Sequence, residues 1–196
     1  MRKSKQEALR TRERIVAAAS EEFRQYGIVA TGLAELMAAA GLTHGGFYKH
    51  FQSKNQLITE AASAAIATST KAMKSVGSER PGLAGLKTLV GKYLVAHHRD
   101  NPGQGCPFAA LGAELTRCDD KTRDVATQGL RDYVGVLASH LESLKPGEAK
   151  NRAMAIFATM VGALILARIS NDETLSRSIL RNAQETILKF AQPKRR

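Results

Sequence analysis

The chain has 196 residues, 43% of them apolar, and a formal net charge of +11. That apolar share excludes wholesale disorder, and the length allows a substantial core in one domain or two small ones. The charge points to a polyanionic partner, either nucleic acid or an anionic membrane surface.

The N-terminus has no apolar h-region, so no secretory signal is read. The longest uncharged stretch of the C-terminal half, residues 153–167, falls short of the roughly 20 residues that span a bilayer. No membrane association is expected, because the positive charge is dispersed rather than gathered on one amphipathic helix. Cys106 and Cys118 form neither a disulfide framework nor a zinc pattern. A reducing, cytoplasmic setting is expected, with no metal and no cofactor.

Taken in chain order, the segments read with a helical period and without sustained alternation. The first expected helix covers residues 5–26, with Ile15, Ala18, Ala19 and Phe23 on one stripe and Gly27 as its stop. The second covers 33–40, with Leu33, Leu36, Met37 and Ala40 on one face, and Gly41 ends it. The third covers 44–50. The fourth opens at Ser53, where Ser53 and Gln56 form an S-x-x-Q capping box, and runs to 76. The fifth covers 83–99, between the breaks "GSERPG" and "DNPGQG". The sixth covers 107–117, the seventh 121–144, the eighth 148–169 and the ninth 173–191. A basic "KRR" tail follows. The fold class is all-α, with about nine helices.

The stretch "LTHGGFYKHF" carries the clearest chemistry. Two adjacent glycines, Gly45 and Gly46, each cost about 1 kcal/mol in a helix relative to alanine. Thr43 is placed to cap this helix, and Leu42 and Phe47 to staple its start. Phe47 and Phe51 share one face, which turns inward. The opposite face carries His44, Gly45, Tyr48 and Lys49. The short helices two and three, joined by "AGLTH", form a helix-turn-helix, and this face is the one laid in a major groove. Glycine there allows close approach to phosphates and base edges.

These residues carry a family resemblance. The run "GIVATGLAELMAAAGLTHGGFYKHFQSKNQL", residues 27–57, resembles the DNA-binding domain of TetR (tetracycline-repressor-like) regulators. Gly27 matches the glycine ending helix one, Thr31 the threonine opening helix two, and residues 40–43 the turn. Residues 48–51 match the tyrosine, basic residue, histidine and phenylalanine that end helix three, and Lys54 matches the lysine opening helix four. The chain departs from the pattern at Met37, Gly32 and Gly46. The resemblance implies a three-helix DNA-binding domain over residues 1–53, and a larger helical regulatory and dimerisation domain over 54–196. It also implies DNA contacts from Thr31, Thr43, His44, Gly45, Gly46, Tyr48, Lys49, His50 and Lys54. Phosphate contacts from Arg10, Arg12 and Arg14 belong to the same implication.

In the C-terminal part, helix eight is apolar around most of its circumference and must be covered on all sides. A second copy of the chain would cover it. Phe157, Met160, Val161, Leu164, Ile165, Ile179 and Ile187 are read as the homodimer interface. Tyr93, His97, Cys106, Phe108, Tyr133 and His140 are read as a ligand pocket. No convergent nucleophile, base or metal set suggests an enzyme. The functional expectation is a homodimeric repressor that binds a palindromic operator and is released by a small-molecule inducer of unknown identity. Two alternatives stand beside it. One is an electrophile- or oxidant-sensing repressor using Cys106, whose thiol sits at the N-cap of a helix opened by Pro107 and would be activated by the helix dipole. The other is a non-regulatory architectural DNA-binding protein.

Overall fold

A computed structural model describes residues 2–78 and 80–192; the KRR tail lies outside them. The described residues form nine α-helices and two short 3-10 helices and contain no strand. These are α1 (Arg2–Tyr26), α2 (Leu33–Ala39), η1 (His44–Lys49), α3 (Lys54–Ser78), α4 (Gly82–Tyr93), α5 (Ala96–Asp100), η2 (Pro102–Gln104), α6 (Pro107–Leu115), α7 (Asp120–Ala138), α8 (Pro146–Ile169) and α9 (Glu173–Ala191).

The N-terminal unit follows the sequence pattern closely. Ile15, Ala19 and Phe23 are buried along one stripe of α1 and meet Leu36, Met37, Phe47 and Phe51. Gly27 ends α1 at φ +92° and Gly41 ends α2 at φ +69°, a backbone region that glycine enters without the Cβ penalty. Gly41 N–H and Leu42 N–H donate back to the carbonyls of Ala38 and Met37, closing the helix end. Phe47 and Phe51 stack at 5.5 Å, and the Arg12 guanidinium lies 4.6 Å from the Phe51 ring centre. Each buried phenylalanine contributes about 1.5–3 kcal/mol.

Several elements differ from the sequence reading. The third helix is a 3-10 helix. Two adjacent glycines weaken the α-helix, and a six-residue segment does nearly as well with the tighter i→i+3 bonds. Thr43 occupies its N-cap position but makes no side-chain capping bond. At the start of α3, Ser53 Oγ accepts the Gln56 N–H as expected, while the Gln56 carbonyl oxygen takes the N–H of Gln52 rather than that of Ser53. The expected fifth helix is two, broken at Leu94 and the extended Val95. The Leu94 carbonyl, freed from the helix, accepts from Gln184 of α9. The seventh helix stops at Ala138, before the turns at His140 and Leu141.

The C-terminal part is built around α3 and α7. They pack closely with Gly129 at the contact: a Cβ there would stand 2.6 Å from Ile66 Cγ2 and 3.2 Å from Phe108 Cζ. α8 packs on α7 and α9. It is 24 residues long and apolar enough to cross a membrane by length and composition, yet it carries buried Arg152, whose guanidinium bonds the carbonyls of Phe190 and Gln192. Gly129→Ala should therefore overpack the α3–α7 contact and destabilise the fold by about 1–3 kcal/mol, measured by chemical denaturation.

Candidate nucleic-acid interface and polar core

The residues of the turn and recognition segment divide into two groups. His44, Gly45, Tyr48 and Lys49 are exposed, Tyr48 by 68%, with its ring set edge-on against Phe47 at 5.1 Å. Thr43 is exposed, and Gly46 and His50 are half-buried. Neither Gly45 nor Gly46 has positive φ. A Cβ on Gly45 would meet nothing within 4 Å, and one on Gly46 would make ordinary contact with Met37 Cε at 3.5 Å. The fold therefore does not require glycine at either position. Met37 fills the space beside Gly46, so these two departures from the family pattern are neighbours.

Thr31 and Lys54 belong to the second group. Thr31 is only 2% exposed, and its hydroxyl donates to the Gly27 carbonyl at 2.6 Å. The Lys54 ammonium donates to the carbonyls of Ile28 (2.9 Å) and Thr31 (2.6 Å). Both side chains are engaged within the protomer, where they serve carbonyls of the α1–α2 turn. The same holds for two arginines of α1. Arg12 pairs with Glu60, and Arg14 donates to the Ala40 carbonyl at 2.6 Å. Arg10 is exposed.

The turn is also held from the regulatory side. The Glu114 carboxylate of α6 accepts the Val29 N–H at 3.0 Å. Farther along α1, Arg24 donates to the Gly105 carbonyl at 3.2 Å, and Gln25 accepts the Gly103 N–H at 3.1 Å. Thr59 and Thr122 share a buried hydrogen bond at 2.8 Å between α3 and α7.

The expected pocket residues separate. Tyr93, Cys106, Phe108 and Tyr133 come together, with Phe108 edge-on to Tyr133 at 5.2 Å. His97 does not join them, because the break at Leu94 turns it out to solvent. His98 takes the inward place instead. Its ring lies edge-on to Tyr93 at 4.5 Å; Nδ1 bonds the Tyr93 carbonyl at 2.7 Å and Nε2 accepts the Cys106 N–H at 2.9 Å. That pairing makes the Nδ1–H tautomer, and burial holds the ring's pKa below its ordinary value. His140 is buried elsewhere, beside a groove lined by Lys74, Arg131, Ser139 and Glu142. Sequence reasoning missed Ser69, His98, Arg24, Arg168 and Glu114. Of these, only the adjacency of His98 to His97 left a signal.

Cys106 stands at the N-cap of α6, with Pro107 at the first turn; the residue is 2% exposed, and its thiol faces the N–H groups of Phe108 and Ala109 without completing a well-directed capping bond. Burial raises its pKa, outweighing the lowering by Tyr93 and the N–H groups of Ala109 and Phe108. The helix-dipole argument for a reactive thiolate is thus overturned by desolvation. Cys118 is half-exposed; burial first, then Asp119 and Glu114, raise its pKa as well.

The assumed interface residues also divide. Phe157, Met160, Leu164 and Ile187 are buried inside the protomer, because α8 turns that side to α7 and α9. Val161, Ile165 and Ile179 are partly buried. The exposed apolar residues of the two helices are Met154, Leu166, Ile169, Leu175 and Phe190.

Comparison with known proteins agrees with this architecture. Residues 15–61 match the model for bacterial regulatory proteins of the tetR family, and residues 83–184 match the C-terminal domain of LmrA/YxaF-like transcriptional regulators. The chain belongs to the tetR family, whose members bind operator DNA and act as dimers. An uncharacterised HTH-type transcriptional regulator of Mycobacterium tuberculosis is 27% identical over 171 residues, 83% of this chain and 87% of that one. The regulator AcrR of Shigella flexneri is 46% identical over 59 residues, which span 30% of this chain and only 27% of AcrR. A TetR regulator from Chloroflexus aurantiacus superposes with a TM-score of 0.77 at 25% identity, covering 97% of this chain and 96% of that one. The reduced form of Escherichia coli NemR gives 0.77 at 23% identity over 90% of this chain and 94% of its own, a likeness of fold.

Accessibility decides between the two thiols. Alkylation of the native protein at neutral pH should label Cys118 faster than Cys106, with the difference vanishing after full denaturation. Peptide mapping over a time course measures both.

Proposed function

We propose that the chain is a homodimeric, operator-binding repressor released by a small molecule. In this reading residues 1–53 form the DNA-binding unit and 54–196 the regulatory unit, with α3 continuing from one to the other. The cytoplasm, where the operator lies, is its place of action. One observation carries the reading of the DNA face. Gly45 and Gly46 sit beside exposed Tyr48 and Lys49, and the fold has no need of either glycine. A partner that must come close to the backbone does. His44, Gly45, Tyr48 and Lys49 then face base edges, and Thr43 and Arg10 face phosphates. Thr31 and Lys54 act indirectly, by fixing the turn that sets the recognition segment. A relative of Escherichia coli K12, named as a probable acrEF/envCD operon repressor and 39% identical over 59 residues, supports repression.

Gly45→Ala separates this reading from a purely structural one. Alanine fits the space and favours a helix, so stability should hold or rise by up to about 1 kcal/mol. Operator affinity should nevertheless fall. Lys49→Ala should cost about 1–3 kcal/mol if it reads a base. The measurement is fluorescence anisotropy on an operator recovered by selection from random DNA. Unchanged affinity in both variants would remove η1 from the groove.

The exposed stripe of α8 and α9 is assigned to the second copy. Leu166 is 56% and Ile169 72% exposed, and apolar side chains at such spacing on one face favour a partner helix. Ala155, Ala158 and Gly162 on the same face let that helix approach. Two recognition segments then lie about 34 Å apart and read a palindrome. Leu166→Asp should yield a folded monomer with weakened operator binding. Leu164→Asp places a charge in the protomer core and should unfold it instead. Light scattering and circular dichroism distinguish the two outcomes, and a dimer surviving Leu166→Asp would exclude this face.

A further inference from the structure

The polar cluster around Cys106 holds hydrogen-bond donors without acceptors. The hydroxyls of Tyr93 and Tyr133 are buried and complete no hydrogen bond of good geometry, and neither does Arg24 Nε. All three lie within electrostatic reach of the Cys106 thiol, and the Ser69 hydroxyl adjoins Tyr133. Buried polar groups in native proteins are ordinarily paired, so such a convergence calls for an explanation.

Only the Cys106 thiol and, for Tyr133, the Ser69 hydroxyl come within hydrogen-bonding reach of the two phenols, and neither completes a well-directed bond. His98 has spent both ring nitrogens, one on the Tyr93 carbonyl and one on the Cys106 N–H. The carbonyls of His98, Arg99 and Ala109 are held by the Arg168 guanidinium. A thiol is a weak acceptor. A cavity of about 200 Å³, lined by Ser69, Met73, Leu89, Tyr93 and His98, opens beside the cluster. Lys92 also lines it, and behind the cluster the rings of Phe108 and Phe157 pack on Tyr133. Two guanidiniums, Arg24 and Arg168, make the surroundings electropositive.

We propose that this cluster seats the inducer, and that the inducer presents a carbonyl or carboxylate oxygen on a small apolar body. The oxygen accepts from the Tyr93 and Tyr133 hydroxyls, and the apolar body lies against the aromatic rings and Met73. The site is also connected to the DNA-binding unit. The segment around Cys106 is bonded to α1 through Gly103 and Gly105, and α6, which starts beside Cys106, ends with Glu114 on the α1–α2 turn. A ligand that displaces Cys106 therefore moves contacts at the end of α1 and at the turn beyond it. This deepens the repressor reading and rests on it only for the effect at the operator.

The test uses the full chain and three probes of one size. Benzoate offers an anionic acceptor, benzamide a neutral one, and benzylamine the same ring without an acceptor oxygen. Melting temperature and intrinsic tyrosine fluorescence are followed without DNA, and operator release is followed separately. Benzoate or benzamide should raise the melting temperature in a saturable way, and benzylamine should not. The Tyr93→Phe/Tyr133→Phe double variant loses only two hydroxyls. It should melt no lower than the wild type, keep its operator affinity, and bind the acceptor probe about tenfold more weakly or worse. If the double variant fails to fold, the two single variants carry the comparison. Equal stabilisation by benzylamine, no binding of either acceptor probe, or undiminished binding by the folded variants would overturn the site. If the wild type binds no selected operator, the repressor reading fails, and the melting comparison still decides the site.

Discussion

The recognition segment hangs from a half-buried lysine. A six-residue 3-10 helix has too little surface to fix its own orientation, so its direction is inherited from the elements around it. Lys54, the first residue of α3, ties the carbonyls of Ile28 and Thr31, and Thr31 in turn ties Gly27. These bonds lock the α1–α2 turn to the start of the longest-reaching helix of the regulatory part. Glu114 then holds Val29 from the other side. The α1–α2 turn is thus bonded to α3 and to α6 at once, so a displacement of either helix reaches it. Such a displacement is useful only when a ligand binds the two arrangements with different affinity.

The polar core shows how magnitude decides between two effects of opposite sign. A helix N-terminus favours negative charge by about 0.3–1 kcal/mol at an exposed site. Full burial of a thiolate costs several times that, since each step of pKa is worth about 1.4 kcal/mol and burial moves a pKa by several steps. At Cys106 both act, and the thiol ends above its ordinary range. Its place in the molecule is therefore better described by what surrounds it, two phenols and two guanidiniums, than by its own nucleophilicity.

α8 illustrates the same economy in apolar surface. It is apolar around most of its circumference for two reasons at once. Met160 and Leu164 face α7 and α9 within the protomer, while Leu166 and Ile169 face outward. Composition makes the two sets indistinguishable, since leucine serves equally in a core and at an interface. The large residues of the inner face set how stable the protomer is by itself.

The sequence determined the helix-turn-helix and its outward face. Gly27 and Gly41 mark turns that only glycine enters easily, Phe47 and Phe51 mark the buried side by their spacing, and Tyr48 and Lys49 are left outside by the same periodicity. These are local facts, fixed within a few residues of one another. Only the tertiary structure decided what Lys54 and Arg12 do, because their partners lie 23 to 26 and 48 residues away. Only it exchanged His97 for His98, since one broken turn at Leu94 shifts every following side chain around the helix axis. The split of α8 into a buried and an exposed apolar face was hidden for the same reason. Periodicity reports that a face is apolar, and packing decides which neighbour covers it.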